Sequence, residues 1–114
     1  MKFTIDRESF LKPLQQVIGV VERRQTLPVL GNLLINASTD RLRLTATDLE
    51  VEVQAGTSAD IQESGEITLP ARKLLDICKA LPDNASIQVS IKDQKAQIRS
   101  GRSRFTLSTL PAAD

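Results

Sequence analysis

Histidine, tryptophan and tyrosine are absent from this chain, and phenylalanine occurs only as Phe3, Phe10 and Phe105. Without histidine the chain lacks the commonest general base and metal ligand. The scarcity of aromatics argues against single-strand or RNA binding, which needs flat rings for bases to stack on. Cys78 is the only cysteine, so an internal disulfide framework is excluded and a reducing compartment fits. The glycines are scattered, and no phosphate-cradling loop of the Walker or Rossmann type is present. No apolar run is long enough for a signal peptide or a membrane span, so a cytoplasmic location is expected. Catalysis, a metal or an organic cofactor finds no support in these residues.

What is present is the make-up of one ordinary domain of 114 residues, with a net charge of only +1. That small balance conceals an uneven distribution. Between Asp40 and Glu66 the acids face only Arg41 and Arg43, whereas Lys92, Lys95, Arg99, Arg102 and Arg104 face Asp93 alone. Such a surface repels a polyanion on one side and attracts it on another.

Polarity alternates over Lys2–Ile5, giving a short strand, and Asp6 is placed to cap a helix over about Arg7–Val21. Phe10, Leu11, Leu14, Val17, Ile18 and Val21 form its apolar stripe, and Pro13 within it predicts a kink or an irregular first turn. Three strands follow, at Asn32–Ser38, Leu42–Thr47 and Glu50–Ala59, with Asp40 and Asp48 supplying the turns. A run at Glu66–Leu69 leads through Pro70 into a second helix with Leu74, Leu75, Cys78 and Leu81 on its stripe. Strands at Ser86–Ile91, Ala96–Ser100 and Ser103–Ser108 complete the chain, the last two turning at Gly101-Arg102. The expected fold is α+β: two βαβββ halves, with both helices packed on one face of an antiparallel sheet.

Few residues invite a chemical role. Cys78 sits on an apolar stripe and reads as a structural thiol. Asp48, Glu50 and Glu52 alternate along a strand, the pattern of a solvated face more than of a metal site. The helix backs are basic: Lys12, Gln16 and Arg23 on the first, with Arg24 just beyond it, and Arg72, Lys73, Asp76 and Lys79 on the second. Two readings fit them, ordinary solvation or loose contact with the phosphates of duplex DNA. Phe105 and Leu107 share one face of the last strand beside Arg102 and Arg104. They are either core residues or part of an edge that pairs with another chain.

Four segments carry a resemblance: Met1-Lys-Phe-Thr-Ile5, Thr26-Leu-Pro-Val-Leu-Gly-Asn-Leu-Leu-Ile35, Leu69-Pro-Ala-Arg-Lys-Leu-Leu-Asp-Ile-Cys78 and Ser100-Gly-Arg-Ser-Arg-Phe-Thr-Leu-Ser-Thr-Leu-Pro-Ala-Ala-Asp114. In order and spacing they resemble the first domain of the bacterial β sliding clamps of DNA polymerase III, over the whole chain. The resemblance implies the DNA clamp fold and a non-catalytic processivity factor whose subunits close head to tail around duplex DNA. It places DNA contacts at Arg24 and Arg72, with Lys12 and Lys79 on the same face. It places a subunit interface at Phe105 and Leu107, with Lys73, Arg102 and Arg104 pairing to acids of the partner. It implies DNA polymerase III and the clamp loader as partners of the full-length protein, no membrane, and second and third clamp domains outside this chain. From the residues alone, a stand-alone interaction module using its last strand is the alternative.

Overall fold

A computed structural model of the chain describes residues 1–23, 32–47 and 52–109. Strand β1 (Lys2–Asp6) turns Phe3 and Ile5 inward and Lys2 and Asp6 outward. It runs straight into helix α1 (Arg7–Arg23), where an Asp6 carboxylate oxygen accepts from the Ser9 amide at 3.0 Å and the other accepts from the Ser9 hydroxyl at 2.7 Å. These bonds satisfy a free N–H of the first turn and hold the Asp6 carboxyl below its ordinary value of 3.8. Pro13 lies within the helix. Phe10, Leu14, Val17 and Ile18 are buried on one stripe, as their spacing predicts. The ring of Phe10 meets that of Phe3 edge to face, 6.0 Å between centroids.

The strands β2 (Asn32–Ser38) and β3 (Arg41–Thr47) form a hairpin around Thr39 and Asp40, with Thr39 left-handed at φ 59. The strand β4 (Glu52–Ser58) pairs with β3. It is the strand expected over Glu50–Ala59, of which Glu50 and Val51 lie outside the described residues. The Ala59 amide donates to the Asp40 carbonyl at 3.0 Å, and a strand the sequence reading lacked, β5 (Asp60–Glu63), follows. Next come β6 (Gly65–Pro70), helix α2 (Ala71–Ala80), β7 (Ser86–Lys92), β8 (Lys95–Ser100) and β9 (Ser103–Ser108). Asp93 and Gln94 are both left-handed, which suits the two-residue turn between β7 and β8, and Gly101 at φ 57 serves the turn into β9.

The strands do not make one sheet. Among the described residues they make two, ordered β5-β1-β7-β8-β9 and β4-β3-β2-β6. The pairing follows an exchange between the two halves. Strand β1, which leads the first half, pairs with β7 of the second, Phe3 opposite Val89. Strand β6, which leads the second half, pairs with β2 of the first, Ile35 opposite Ile67. Each helix therefore crosses from one sheet to the other. The core is shared, with Phe3, Leu33, Ile35, Leu42, Leu44, Leu74, Ile87 and Ile98 all removed from solvent.

Candidate nucleic-acid interface

The helices pack against each other, α1 also against β3 and β4, and α2 against β2 and β6. The four-stranded sheet presents its buried residues on one side only, so both helices lie on that side and their outer faces point away from it together. On α1 this face exposes Lys12, Gln15 and Gln16; on α2 it exposes Arg72, Lys73, Asp76 and Lys79. Arg24 lies outside the described residues, and the Arg23 side chain is likewise not described.

The first turn of α2 is electrostatically unusual. A helix N-terminus carries partial positive charge and favours acids, yet this one has none and carries Arg72 and Lys73. Pro70 occupies the cap position and gives no side-chain hydrogen bond to the free amides. Cations and uncapped amides therefore gather at one exposed end, an arrangement that disfavours the helix alone and suits an anion. Arg72 Nε lies 3.4 Å from Asp76 Oδ1, with both side chains more than half exposed. A pair of this kind contributes about 0.3–0.5 kcal/mol. Lys79, in the last turn, is where a cation stabilises a helix.

Arg7 had no place in the sequence reading. Its Nε donates to the Cys78 carbonyl at 2.7 Å, and its Nη1 lies 3.0 Å from Glu8 and 3.1 Å from Asp83. Its backbone amide donates to the Ala85 carbonyl at 2.8 Å. The start of α1 is thus fastened to the end of α2, which fixes how the two basic faces meet. The only hint in the sequence was a cation at the start of a helix, where cations are disfavoured.

Cys78 is buried, and burial pushes its thiol up to about 12, with Arg7 opposing only in part. A thiol so fully protonated at neutral pH is a packing group. Of the alternating acids, Asp48 and Glu50 lie outside the described residues. Glu52 is exposed and accepts a hydrogen bond from Gln54 Nε2 at 2.9 Å.

The second predicted site falls on β9, a terminal strand of the five-stranded sheet. Phe105 stands opposite Ile98 and Leu107 opposite Ala96, half-buried against the core. Arg102 and Arg104 are exposed. Phe105 and Leu107 are thus partly core, on a strand whose other edge has no neighbour among the described residues. Lys73 is not on this strand. It lies in α2, just after β6, whose residues approach β9.

A two-helix basic face backed by two antiparallel sheets is the architecture of sliding-clamp domains. A DNA polymerase III subunit beta structure from Pseudomonas aeruginosa matches all of this chain and 31% of its own, with a TM-score of 0.94 and 56% identity. Caulobacter crescentus pol III beta matches all of this chain and 31% of its own at a TM-score of 0.96 and 47% identity. In sequence, the beta sliding clamp of Pseudomonas aeruginosa is 60% identical over 115 residues, covering 100% of this chain and 31% of the relative. The chain spans about a third of the length of such relatives. Residues 1–114 match the family of the DNA polymerase III beta subunit, N-terminal domain, and the chain belongs to that family.

Proposed function

We propose that this chain is the first clamp domain of a processivity factor, part of a ring that encircles duplex DNA and tethers a replicative polymerase without catalysis. The observation that carries this reading is the shared basic face of α1 and α2, concentrated at the uncapped start of α2 around Arg72. Lys12, Arg72 and Lys79, with Arg24 assigned by the family motif, contact phosphates on one side. The contacts are few and exposed, so binding is weak, salt-sensitive and indifferent to base sequence, as sliding requires. On this reading β9 meets a head-to-tail partner subunit through Phe105 and Leu107, with Lys73, Arg102 and Arg104 facing acids across the junction. DNA polymerase III and the clamp loader engage the ring that further clamp domains complete. The setting is the cytoplasm; among the described residues no helix is long and apolar enough to cross a membrane.

The test is retention of the full-length protein on nicked circular DNA after loading, before and after the circle is linearised. A sliding ring stays on the circle and leaves through the ends of the linear form. Equal retention on both forms means ordinary surface binding, and failure on both, with loading shown to be competent, favours an adaptor that pairs through β9. Replacing Arg24 and Arg72 together by alanine is expected to lower duplex affinity and flatten its salt dependence by about 0.9 per lost phosphate contact, with an unchanged Tm. Full retention of binding and loading in that variant would remove both arginines from the assignment.

A further inference from the structure

The side of the five-stranded sheet turned away from the core is cationic along β7, β8 and β9. Burial of Ile87, Val89, Ala96 and Ile98 on the inner side leaves Lys92, Lys95, Arg99 and Arg104 facing out, all exposed. The register sets like charges directly opposite each other twice, Lys92 against Lys95 and Arg99 against Arg104. Pairs of this kind destabilise a sheet. In the same sheet Lys2 stands opposite Glu63, so opposite charges pair at the β1–β5 end and like charges at the β7–β9 end. Among the described residues none of the four cations forms an ion pair.

The acids near this face stand apart from the cations, with one exception. Asp93 lies in the turn between Lys92 and Lys95. Asp6 is taken by Ser9, and Asp60 and Glu63 belong to β5, at the other end of the strand order from β9. A groove of about 380 Å³ beside Arg99 and one of about 490 Å³ beside Lys92 and Lys95 share Ser90 and Gln97, so the cations line one continuous depression. Between them the outward residues are Gln88, Ser90, Gln97 and Thr106, side chains that donate to phosphate oxygens as lysine and arginine do. No outward side chain on these three strands is apolar, so a protein partner finds no buried anchor. None is aromatic, so unstacked bases find no platform. Lys95 and Arg99 are four residues apart on β8, about 13 Å at the usual rise per residue. That is close to the major-groove width of about 12 Å, which lets the two cation pairs reach the phosphates on its two sides.

We propose that the outer side of β7–β9 is a second contact for the backbone of duplex DNA, indifferent to base sequence and centred on Lys92, Lys95 and Arg99. Arg104 is already given to the subunit junction, and the contact does not require it. The contact uses no residue of α1 or α2, so it holds a stretch of duplex other than the one that touches the helices. Its cations are few and exposed, so binding is weak and falls steeply with salt. It does not depend on the ring reading.

The experiment is titration of the chain with a short duplex at low salt, followed by amide resonances. Those of Lys92, Lys95 and Arg99 are expected to shift, beside a separate set on α1 and α2. Lys92→Gln combined with Arg99→Gln is expected to abolish the sheet set and keep the helix set. The salt slope of binding should then fall by about 1.8, or ~0.9 for each lost phosphate contact. Each glutamine removes one member of a like-charge pair, so Tm is not expected to drop. The charge-keeping pair Lys92→Arg and Arg99→Lys is expected to retain both sets. Absence of sheet shifts in the unaltered protein would overturn the proposal and leave the helix reading standing. Sheet shifts without helix shifts would support it and remove the helix reading. Sheet shifts that survive the glutamine pair would overturn it, as would loss of both sets together, which reduces the effect to overall charge. Displacement of the duplex from the sheet by polyglutamate as readily as by competing duplex would make this a protein-binding face and also overturn the proposal.

Discussion

Asp6 and Cys78 show how burial and hydrogen bonding set the chemistry of single residues here. The Asp6 carboxyl is lowered chiefly by the Ser9 hydroxyl and amide, so its folded value lies below its unfolded one. Its contribution is therefore complete above the ordinary carboxylate range and is lost as pH falls through the folded value. Asp6→Ala is expected to cost about 0.5–2 kcal/mol in urea unfolding at pH 7. The difference from the parent protein should shrink steadily as the pH is lowered below 3.8. An undiminished difference at pH 2 would mean that Asp6 acts by something other than its charge. Cys78, raised to about 12, should resist iodoacetamide at pH 8 in the native protein and react readily in urea. Fast native labelling would show that the end of α2 opens far more than its packing implies. Asp6 and the apolar character of Cys78's position were legible because capping and helical periodicity are local. The approach of the Arg41 guanidinium to Gly56 was not, since it requires the β3–β4 register, which no window of sequence contains.

At the scale of elements, the alternation of Leu33, Ile35 and Ala37, or of Ile87 and Val89, revealed strands because period-two burial is written residue by residue. Partner choice is not written that way. The exchange that places β1 beside β7 and β6 beside β2 depends on which stripes each helix covers, so one sheet was expected where two exist. Strand β5 escaped notice because Asp60, Gln62 and Glu63 leave Ile61 as its only apolar residue. Its backbone is recruited by β1, Phe3 opposite Ile61. The contact between helices was equally hidden, resting on Arg7 and the Cys78 carbonyl. Arg7→Ala is expected to lower stability by about 2 kcal/mol, the scale of a hydrogen bond to a charged group. It should also weaken duplex binding, although Arg7 is not itself on the basic face. Lost stability with unchanged DNA affinity would show that the relative placement of the helices does not matter for binding.

For the whole molecule, the basic helix side and the β9 edge belong to different elements, so the two roles proposed for them can be tested separately. On the proposed ring reading, Phe105→Ala in the full-length protein is expected to weaken subunit association, seen by sedimentation as dissociation at concentrations where the parent stays assembled. DNA contact within each surviving ring should be unchanged. An unaltered dimer at low concentration would return Phe105 to the role of a core residue alone. Truncation of a half-buried phenylalanine also costs stability, so Tm must be followed beside it.

The exchange of leading strands has a further consequence on the ribosome. Phe3 pairs with Ile61 of β5, made 58 residues later, and with Val89 of β7, made 86 residues later. At the usual pace of synthesis, about 5–20 residues per second, that is a delay of roughly 4–17 s. The four-stranded sheet has all its strands once β6 is made, whereas β1 has only β5 beside it until β7 follows. The buried side of β1 is thus the last part of the core to be covered. Closure of the five-stranded sheet waits for these long-range pairings. A nascent chain stalled before Ser86 should stay protease-sensitive at β1, while one stalled well beyond Ser108 should not.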